Sequence, residues 1–544
     1  MAGPIKNVCF IGAGFVGGPS GAVLAMKDPG VEVNIVDLSE NRISAWKTDA
    51  LPIYEPGLLE VVKAARDEET AGRKPNLFFS TDVKRAIKRA DIIFICVNTP
   101  TKTAGTGAGR APNLAYFESA TRMIAAEAES DKIVVEKSTV PCRTADSMRD
   151  ILQANGRPGV KFEILSNPEF LAEGTAVADL LRPDRILIGS MSTESGHRAA
   201  QALTDLYATW VPREKILTTL VWSSELAKLA ANALLAQRIS SINSLSAICE
   251  ATGADVGEIA FAAGLDNRIG SRFLQASIGF GGSCFRKDVL NLTYMAESLH
   301  LPEVAAYWHS VVTINEWQKN RFTKKILERL HHTLSNKKIA VFGFAYKKNT
   351  SDTRESAAIT AVQSLISEHA KVQIYDPQVS QRQVWEELQA HGVDPADIGK
   401  LVTVHKDAYE AAAGAHAVVI LTEWDEFCNK EDPATRHKRA TSQAQAQAQA
   451  HAHAHATGGA KRVSSSSSSS TEVEDDDDSA VELSRGASRK RRATIEQPKR
   501  VNWERISSIM QRPAFVFDGR RIVETAKLEK LGFQVEQIGH SRLS

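Results

Sequence analysis

The sequence has almost no net charge. Its 66 Lys and Arg stand against 65 Asp and Glu over 544 residues, leaving +1. A strongly basic nucleic-acid binder is thereby excluded, and nucleic acid is not an expected partner. Cysteine is sparse as well. Cys9, Cys96, Cys142, Cys249, Cys284 and Cys428 are widely scattered, and none form C-x-x-C. That argues against a disulfide scaffold or a structural zinc site, and for a reducing, cytoplasmic setting. No apolar run approaches the ~18–20 residues of a membrane span, so no membrane partner is expected. The first residues, MAGPIKNVCFIGAGF, run directly into an apolar strand without the charged and apolar regions of a secretory signal. What remains is a large chain, 43% hydrophobic and 24% charged, long enough for roughly three domains.

One stretch departs from this average. Residues 431–500 hold QAQAQAQAHAHAHA, the serines Ser464 to Ser470, EDDDD and RKRR, with no aromatic. Such a segment buries too little apolar surface to offset ordering entropy and reads as a disordered insertion. Elsewhere short β-branched runs alternate with helical stretches. The first set is Asn7–Ile11, Val31–Asp37, Asp91–Val97, Lys132–Glu136, Phe162–Ser166 and Arg185–Gly189. The second is Lys338–Phe342, Val372–Asp376, Ala417–Leu421, Ala514–Phe517 and Phe533–Ile538. Between them, Glu225 to Cys249 lacks Pro and Gly, shows helical spacing and ends before Gly253. The expected fold is α/β: two Rossmann-like, doubly wound parallel sheets joined by a long central helix and a helical middle domain. The boundaries fall at 1–220, 221–330 and 331–544, the last interrupted by 431–500.

Gly12-Ala-Gly-Phe-Val-Gly17 follows the first strand and opens a helix, and Asp37 closes the second strand. Glycines there allow a tight turn and close approach of a pyrophosphate to the helix N-terminus. Asp37 can accept from a ribose 2′-OH and would repel a 2′-phosphate, which favours NAD over NADP. The competing reading of Asp37 is a strand-end cap.

A second constellation carries chemistry. Cys284 lies in Gly279-Phe-Gly-Gly-Ser-Cys-Phe-Arg-Lys-Asp288, ahead of a helical run from Asp288 to His300. A helix N-terminus and the cations Arg286 and Lys287 would stabilise its thiolate; otherwise it is a small buried hydrophobe. Lys228 and Asn232 share one face of the long helix. A buried Lys there needs a partner or loses basicity, unless it snorkels to solvent. Ser166-Asn-Pro-Glu169-Phe-Leu-Ala-Glu173-Gly follows a strand, and Glu169 and Glu173 are expected on one helical face. They serve either as a general base for water or as complements to a helix dipole.

These motifs occur in order with V-N-T-P-T at 97–101, E-K-S-T-V-P at 136–141, S-S-E-L-A-K-L-A-A-N and F-D-G-R at 517–520. Together they resemble the UDP-glucose 6-dehydrogenases of animal and fungal type, within the nucleotide-sugar dehydrogenases. The resemblance covers nearly the whole chain except 431–500. It implies a two-step, four-electron oxidation of UDP-glucose to UDP-glucuronate with two NAD consumed. It also implies a catalytic set: Cys284 as nucleophile, Lys228 with Asn232 for the oxyanion, Asp288 at a water near Lys228, Glu169 as hydrolytic base and Thr139 orienting a water. Implied cofactor contacts are Gly12, Ala13, Gly14, Phe15, Val16, Gly17, Asp37, Arg42, Val97, Asn98, Thr99, Pro100, Thr101, Ser138, Thr139, Val140, Glu173, Cys284, Phe285, Arg286, Lys287 and Arg354. Implied sugar-nucleotide contacts are Glu169, Phe170, Leu171, Ala172, Glu173, Lys228, Leu229, Ala230, Ala231, Asn232, Gln275, Ala276, Ser277, Ile278, Gly279, Phe280, Gly281, Tyr346, Lys347 and Arg520. Arg268 would come from a neighbouring subunit of a homo-oligomer, a hexamer built from dimers. Feedback by UDP-xylose through the 137–143 loop is implied too.

The sequence departs from the family pattern at Gln275, where Lys is common, and in the insertion. A cation lost beside a diphosphate would weaken binding by ~1–3 kcal/mol, or Gln275 hydrogen-bonds in its place. Within the insertion, Arg491-Arg492-Ala493-Thr494 resembles a basic-directed kinase site and the serine tract an acidic-directed one. Its alternating histidines read as repeat drift rather than metal ligands, and Arg489–Arg492 as solvated linker rather than nuclear targeting. Two other functions stay open: a sister enzyme acting on GDP-mannose or a UDP-N-acetyl sugar, and a nucleotide-binding regulator without catalysis.

Overall fold

The computed structural model describes residues 5–67, 74–430 and 500–540. The expected disorder of 431–500 falls outside the described residues, save Arg500. An eight-stranded sheet comes first, built from β1 (Asn7–Ile11), β2 (Glu32–Val36), β3 (Leu77–Ser80), β4 (Ile92–Ile95), β5 (Lys132–Glu136), β6 (Phe162–Ser166), β7 (Ile186–Ser190) and β8 (Ile216–Leu220). Its order is β3-β2-β1-β4-β5-β6-β7-β8. The second sheet has β9 (Lys338–Phe342), β10 (Lys371–Tyr375), β11 (Val402–Val404), β12 (Ala417–Ile420), β13 (Ala514–Asp518) and β14 (Phe533–Gln537), in the order β11-β10-β9-β12-β13-β14. Continuous apolar runs such as Ile92–Ile95 and Ala417–Ile420 are buried on both faces, as helix-covered parallel strands must be.

Three strands were not expected from sequence: β3, β8 and β11. All three are sheet edges, where one flank has no partner strand. Their residues are short and partly exposed, so the apolar run that marks an interior strand is missing. A second correction concerns direction. The first sheet is not wholly parallel, because β6 meets β7 antiparallel at Ser166 and Gly189. The segment between them, residues 167–185, runs as a loop and the short helix Ala176–Leu181 before β7 joins the sheet edge-on to β6 at this single antiparallel pair.

The long helix runs Val221–Thr252 and ends at Gly253, whose φ of 83° is a left-handed stop that glycine adopts freely. It packs beside the helices Phe285–Ser298 and Pro302–Arg329 through Ala233, Ala236, Phe280, Val289, Leu290, Val311 and Val312. The first of these begins at the cysteine loop, three residues earlier than the expected Asp288 start. Among the described residues, no helix is long and apolar enough to cross a membrane.

One buried pair ties the long helix to the first sheet. The Glu225 carboxylate accepts from the N–H groups of Arg143 (2.6 Å) and Ala145 (2.8 Å), capping the helix Thr144–Asn155. Beside it lies Glu136 at the end of β5. Burial, then the Glu225 charge, push the Glu136 carboxyl well above its ordinary range, so the pair holds a proton. A raised carboxyl pKa means that stability present at low pH is lost as pH climbs above the ordinary glutamate value toward the folded one. Glu136→Gln keeps a donor without the charge. It is expected to raise Tm at pH 8 by about 2–4 °C, the shift for about 1 kcal/mol, and to change little at pH 5. Thermal melts at the two pH values check this; equal shifts at both would contradict it.

Candidate active site

The site assembles where β1 and β4 lie side by side, at the point where strand order reverses in the first sheet. Gly12 has φ 109°, and a Cβ on it would come 2.4 Å from the Cys96 carbonyl oxygen. A Cβ on Gly17 would lie 2.0 Å from the Gly12 oxygen. These two glycines let strand, turn and helix close on one another. Gly14 differs, because a Cβ there meets nothing within 4 Å. Its backbone faces open space at the N-terminus of the helix Gly17–Lys27, a cradle that suits a dinucleotide pyrophosphate.

Asp37 accepts from the N–H groups of Ala13 and Ser39 (both 2.9 Å) and from Arg42 Nη1 (2.9 Å). Burial pushes its carboxyl up, but these donors outweigh it and hold it below the ordinary value. The fixed negative charge stands at the loop, where a ribose 2′-phosphate would be repelled. Asp37→Ser is therefore expected to cut the kcat/KM preference for NAD over NADP by about tenfold or more. Steady-state assays with each cofactor measure it.

Two flanking loops are locked together. Thr99 Oγ1 donates to the Thr139 carbonyl (2.8 Å), and Ser138 Oγ donates to those of Ile95 and Val97. The expected cofactor residues of 97–101 and 138–140 thus share one rim. Arg354 reaches the same side: its guanidinium stands 5.5 Å from the Phe15 ring and is held by Asp352.

The thiol loop explains its glycines. Cβ atoms on Gly279, Gly281 and Gly282 would meet Asn315 Oδ1 at 2.8 Å, the Glu355 carbonyl at 2.5 Å and the Tyr346 ring at 2.8 Å. The loop is therefore pressed against the helix Pro302–Arg329 and against the loop after β9. Cys284 is exposed and forms the N-cap of the helix Phe285–Ser298. Cys9, Cys96 and Cys249 are buried, as expected of structural thiols, and burial drives Cys9 up to about 12. Of the two cations expected to favour the thiolate, Arg286 turns to Glu355 (3.5 Å) and Glu316 (3.9 Å) instead, while Lys287 pairs with Asp288 (2.8 Å).

Lys228 and Asn232 are both buried, so the snorkelling alternative fails. Asn232 Nδ2 donates to Asp288 Oδ2 at 2.6 Å, which joins the long helix to the thiol helix. Burial pulls the Lys228 ammonium below its ordinary value, against the opposing pull of Cys284, Asp288 and Glu169 around it. Its Nζ stands over the Phe170 ring, 5.2 Å from the ring centre.

Glu169 and Glu173 do not share a helical face. Residues 167–175 form a loop, and the helix there starts at Ala176. Glu55 fixes this loop by accepting from the N–H groups of Gly174 (2.8 Å) and Ala176 (2.6 Å), so the backbone bonds go to a carboxylate rather than to helix. Glu169 accepts from the Phe170 and Leu171 N–H groups and pairs with Lys137 at 2.8 Å. Burial would raise its carboxyl, but Lys137 and the backbone donors bring it below the ordinary value. Glu173 points the other way, toward Arg354 (3.6 Å) and Thr350 (3.4 Å); burial and Asp352 push it up to about 7.

Arg520, from the turn after β13, is buried. It donates to the carbonyls of Leu421 (2.7 Å) and Tyr346 (2.9 Å) and reaches that of Gly279 (3.5 Å). Gln275 Nε2 donates to the Arg520 carbonyl (3.3 Å). Lys347 rests over the Tyr346 ring. Arg268 alone stays apart: its side chain is 89% exposed and pairs with Asp266 next to it. Sequence reasoning missed Lys137, Asn167 and Tyr207 behind Glu169, and Asn243, Asn315 and Gln318, which hold the backbone of 277–280. Lys137 and Asn167 stood in quoted motifs, and nothing in those motifs tied either side chain to Glu169.

The chain matches three models of one family along its length. They are the NAD binding domain of the UDP-glucose/GDP-mannose dehydrogenases over residues 6–211, the central domain over 222–317 and the UDP binding domain over 340–446. The chain belongs to the UDP-glucose/GDP-mannose dehydrogenase family. Within this family's pattern, the Gly12–Gly17 cradle lies in the NAD-binding part, Lys228 and Cys284 in the central part, and Tyr346 and Lys347 in the UDP-binding part. NAD is the cofactor, and the open cradle at Gly14 and the Asp37 charge fit it. The chain is 51% identical to UDP-glucose 6-dehydrogenase of Drosophila melanogaster, with 98% of this chain and 96% of that protein covered. It is 50% identical to UDP-glucose 6-dehydrogenase 1 of Oryza sativa subsp. japonica, with 98% and 97% covered. Among solved structures, a UDP-glucose dehydrogenase from the hyperthermophilic archaeon Pyrobaculum islandicum matches with TM-score 0.67 and 32% identity, covering 77% of this chain and 90% of that one.

Proposed function

We propose that this dehydrogenase oxidises the C6 alcohol of UDP-glucose to a carboxylate in two steps, releasing UDP-glucuronate. One observation carries the reading. Groups for every stage converge from separate elements: Lys228 and Asn232 on the long helix, Cys284 and Asp288 on the thiol helix, and Glu169 beyond β6. NAD, when bound, supplies the hydride acceptor for both oxidations.

Lys228, with its ammonium weakened by burial, stabilises the alkoxide as the alcohol passes its proton to the water held at Asp288. The aldehyde formed lacks a hydride-donating alkoxide. Addition of the Cys284 thiolate to its carbonyl carbon creates a thiohemiacetal, whose oxygen again faces Lys228. Loss of the second hydride leaves a thioester on Cys284. Glu169 takes a proton from water, whose oxygen bonds to the thioester carbon as the carbon–sulfur bond breaks. The acid and the Cys284 thiolate are the products. Thr139 orients that water, and Asn232, which holds Asp288, stands beside Lys228 at the oxyanion.

Tyr346, Lys347, Arg520 and Gln275 border the space for the UDP moiety, and 277–281 line its sugar end. Regions 1–220, 221–330 and 331–544 serve as NAD, self-association and UDP-sugar parts. Arg268 works in trans in a homo-oligomer, where its exposure within one chain finds a use. UDP-xylose acts on the loop 137–143. Six free cysteines suit a reducing cytoplasm.

The alternatives GDP-mannose and UDP-N-acetyl sugars use the same Cys, Lys and Asn. Initial rates with each sugar nucleotide at fixed NAD decide among them. UDP-glucose is expected to give the highest kcat/KM by about 10²-fold or more. Absence of NADH with UDP-glucose would overturn the reading.

A further inference from the structure

We propose that Lys137 is a positioning residue that keeps Glu169 ionised and aimed for thioester hydrolysis, an inference that rests on the hydrolytic role given to Glu169 above. Lys137 is the first residue after β5, and its side chain is 1% exposed. A lysine buried so deeply keeps its charge only with partners for all three N–H groups. It has three. Nζ lies 2.8 Å from Glu169 Oε2, and donates to Asn167 Oδ1 (3.0 Å) and Tyr207 Oη (3.2 Å). Tyr207 in turn donates to Asn167 Oδ1 (2.7 Å), and Asn167 Nδ2 donates to the Leu187 carbonyl (2.8 Å). The cage is therefore anchored to β7 and to the helix Glu194–Tyr207.

Its geometry divides the Glu169 carboxylate. Oε1 takes the backbone donors of Phe170 and Leu171, and Oε2 takes Lys137. Rotation of the carboxylate would break one set or the other, so its direction is fixed. The charged and titratable groups facing this pair are Lys228 beside Glu169, and Tyr207 and Cys96 beside Lys137. Lys228 is committed to the reacting oxygen, so Lys137 is the permanent counter-charge. Glu169 stays ionised without depending on what occupies the site.

Lys137→Met keeps most of the volume and removes the charge. At pH 7, thioester hydrolysis is expected to slow between ~10-fold and ~100-fold. The acidic limb of the kcat profile should move up by about one pH unit or more, with KM for UDP-glucose within about twofold. Acid quench and intact mass should then show sugar nucleotide covalently held on Cys284. Lys137→Arg should keep the wild-type limb. Added to Glu169→Gln, Lys137→Met should slow hydrolysis no further. An unmoved limb with no covalent adduct would overturn the inference. So would an additive loss in the double variant, which marks a structural role. If Lys137→Met gives no soluble protein, Lys137→Gln, with an amide for Asn167 and Tyr207, is read by the same limb and adduct. Wild-type enzyme run alongside separates the two levels: without NADH from UDP-glucose in wild type, the proposed function itself fails, whereas an active wild type beside an unshifted Lys137→Met refutes only the role of Lys137.

Discussion

Cys284→Ser is expected to lose oxidation to the acid by about 10³-fold or more while still binding NAD with near-wild-type affinity. The reason is chemical. A serine hydroxyl is far less acidic than a thiol, so almost no alkoxide exists at neutral pH to add to the aldehyde. The helix N-terminus at Phe285 favours an anion at position 284, yet it cannot supply the ten-thousandfold or greater change in ionised fraction that the hydroxyl would need. The fold has little stake in the thiol. Cys284 is exposed, and its Sγ contacts Ser283 Oγ only at 3.6 Å. Tm should therefore hold within about 1 °C, in keeping with an exposed side chain. The nucleotide cradle is built from Gly12 to Gly17 and Asp37, so NAD titration should be unchanged. Full turnover in Cys284→Ser would refute the covalent route.

The second large effect falls on Lys228. Lys228→Met keeps an unbranched side chain of similar length and removes the ammonium that stands over Phe170. A kcat loss of about 10²–10³-fold is expected, the usual cost of deleting one charge-stabilising donor. KM for UDP-glucose should change little, because the oxyanion exists only in the transition state. Stability should not fall. Burial already opposes the Lys228 charge, so a neutral side chain of similar size relieves that cost. Melting temperature together with the split between kcat and KM measures this. A loss confined to KM would instead make Lys228 a ground-state substrate clamp.

How far the sequence foretold this depends on where each residue stands. Interior strands such as Lys132–Glu136 and Phe162–Ser166 were legible to the residue, because burial on both faces demands an unbroken apolar run. Edge strands β3, β8 and β11 were not, since exposure on one flank relaxes that demand. The long helix was legible from the absence of breakers and from the Gly253 stop. Within the site, motifs with local geometry read well: the nucleotide loop, the Lys228–Asn232 face and the thiol at a helix start. The reading failed where a distant residue takes over the backbone. Glu169 and Glu173 look helical by spacing, but Glu55, 119 residues before Gly174 in the chain, captures the N–H groups that a helix would use. Lys137 went unassigned for the same reason, because its partner Glu169 is brought to it only by the sheet. Arg520 was marked by the F-D-G-R motif, but its three carbonyl partners, Leu421, Tyr346 and Gly279, come from distant segments that only the fold brings to it.

The central claim is one site that carries UDP-glucose through two oxidations on a single thiol. Its most direct test is an end-point count. Limiting UDP-glucose is run to completion with excess NAD, and NADH is counted per sugar nucleotide consumed. Two NADH for each UDP-glucose, with UDP-glucuronate as the product, is the predicted result. One NADH per sugar, or none, would contradict it.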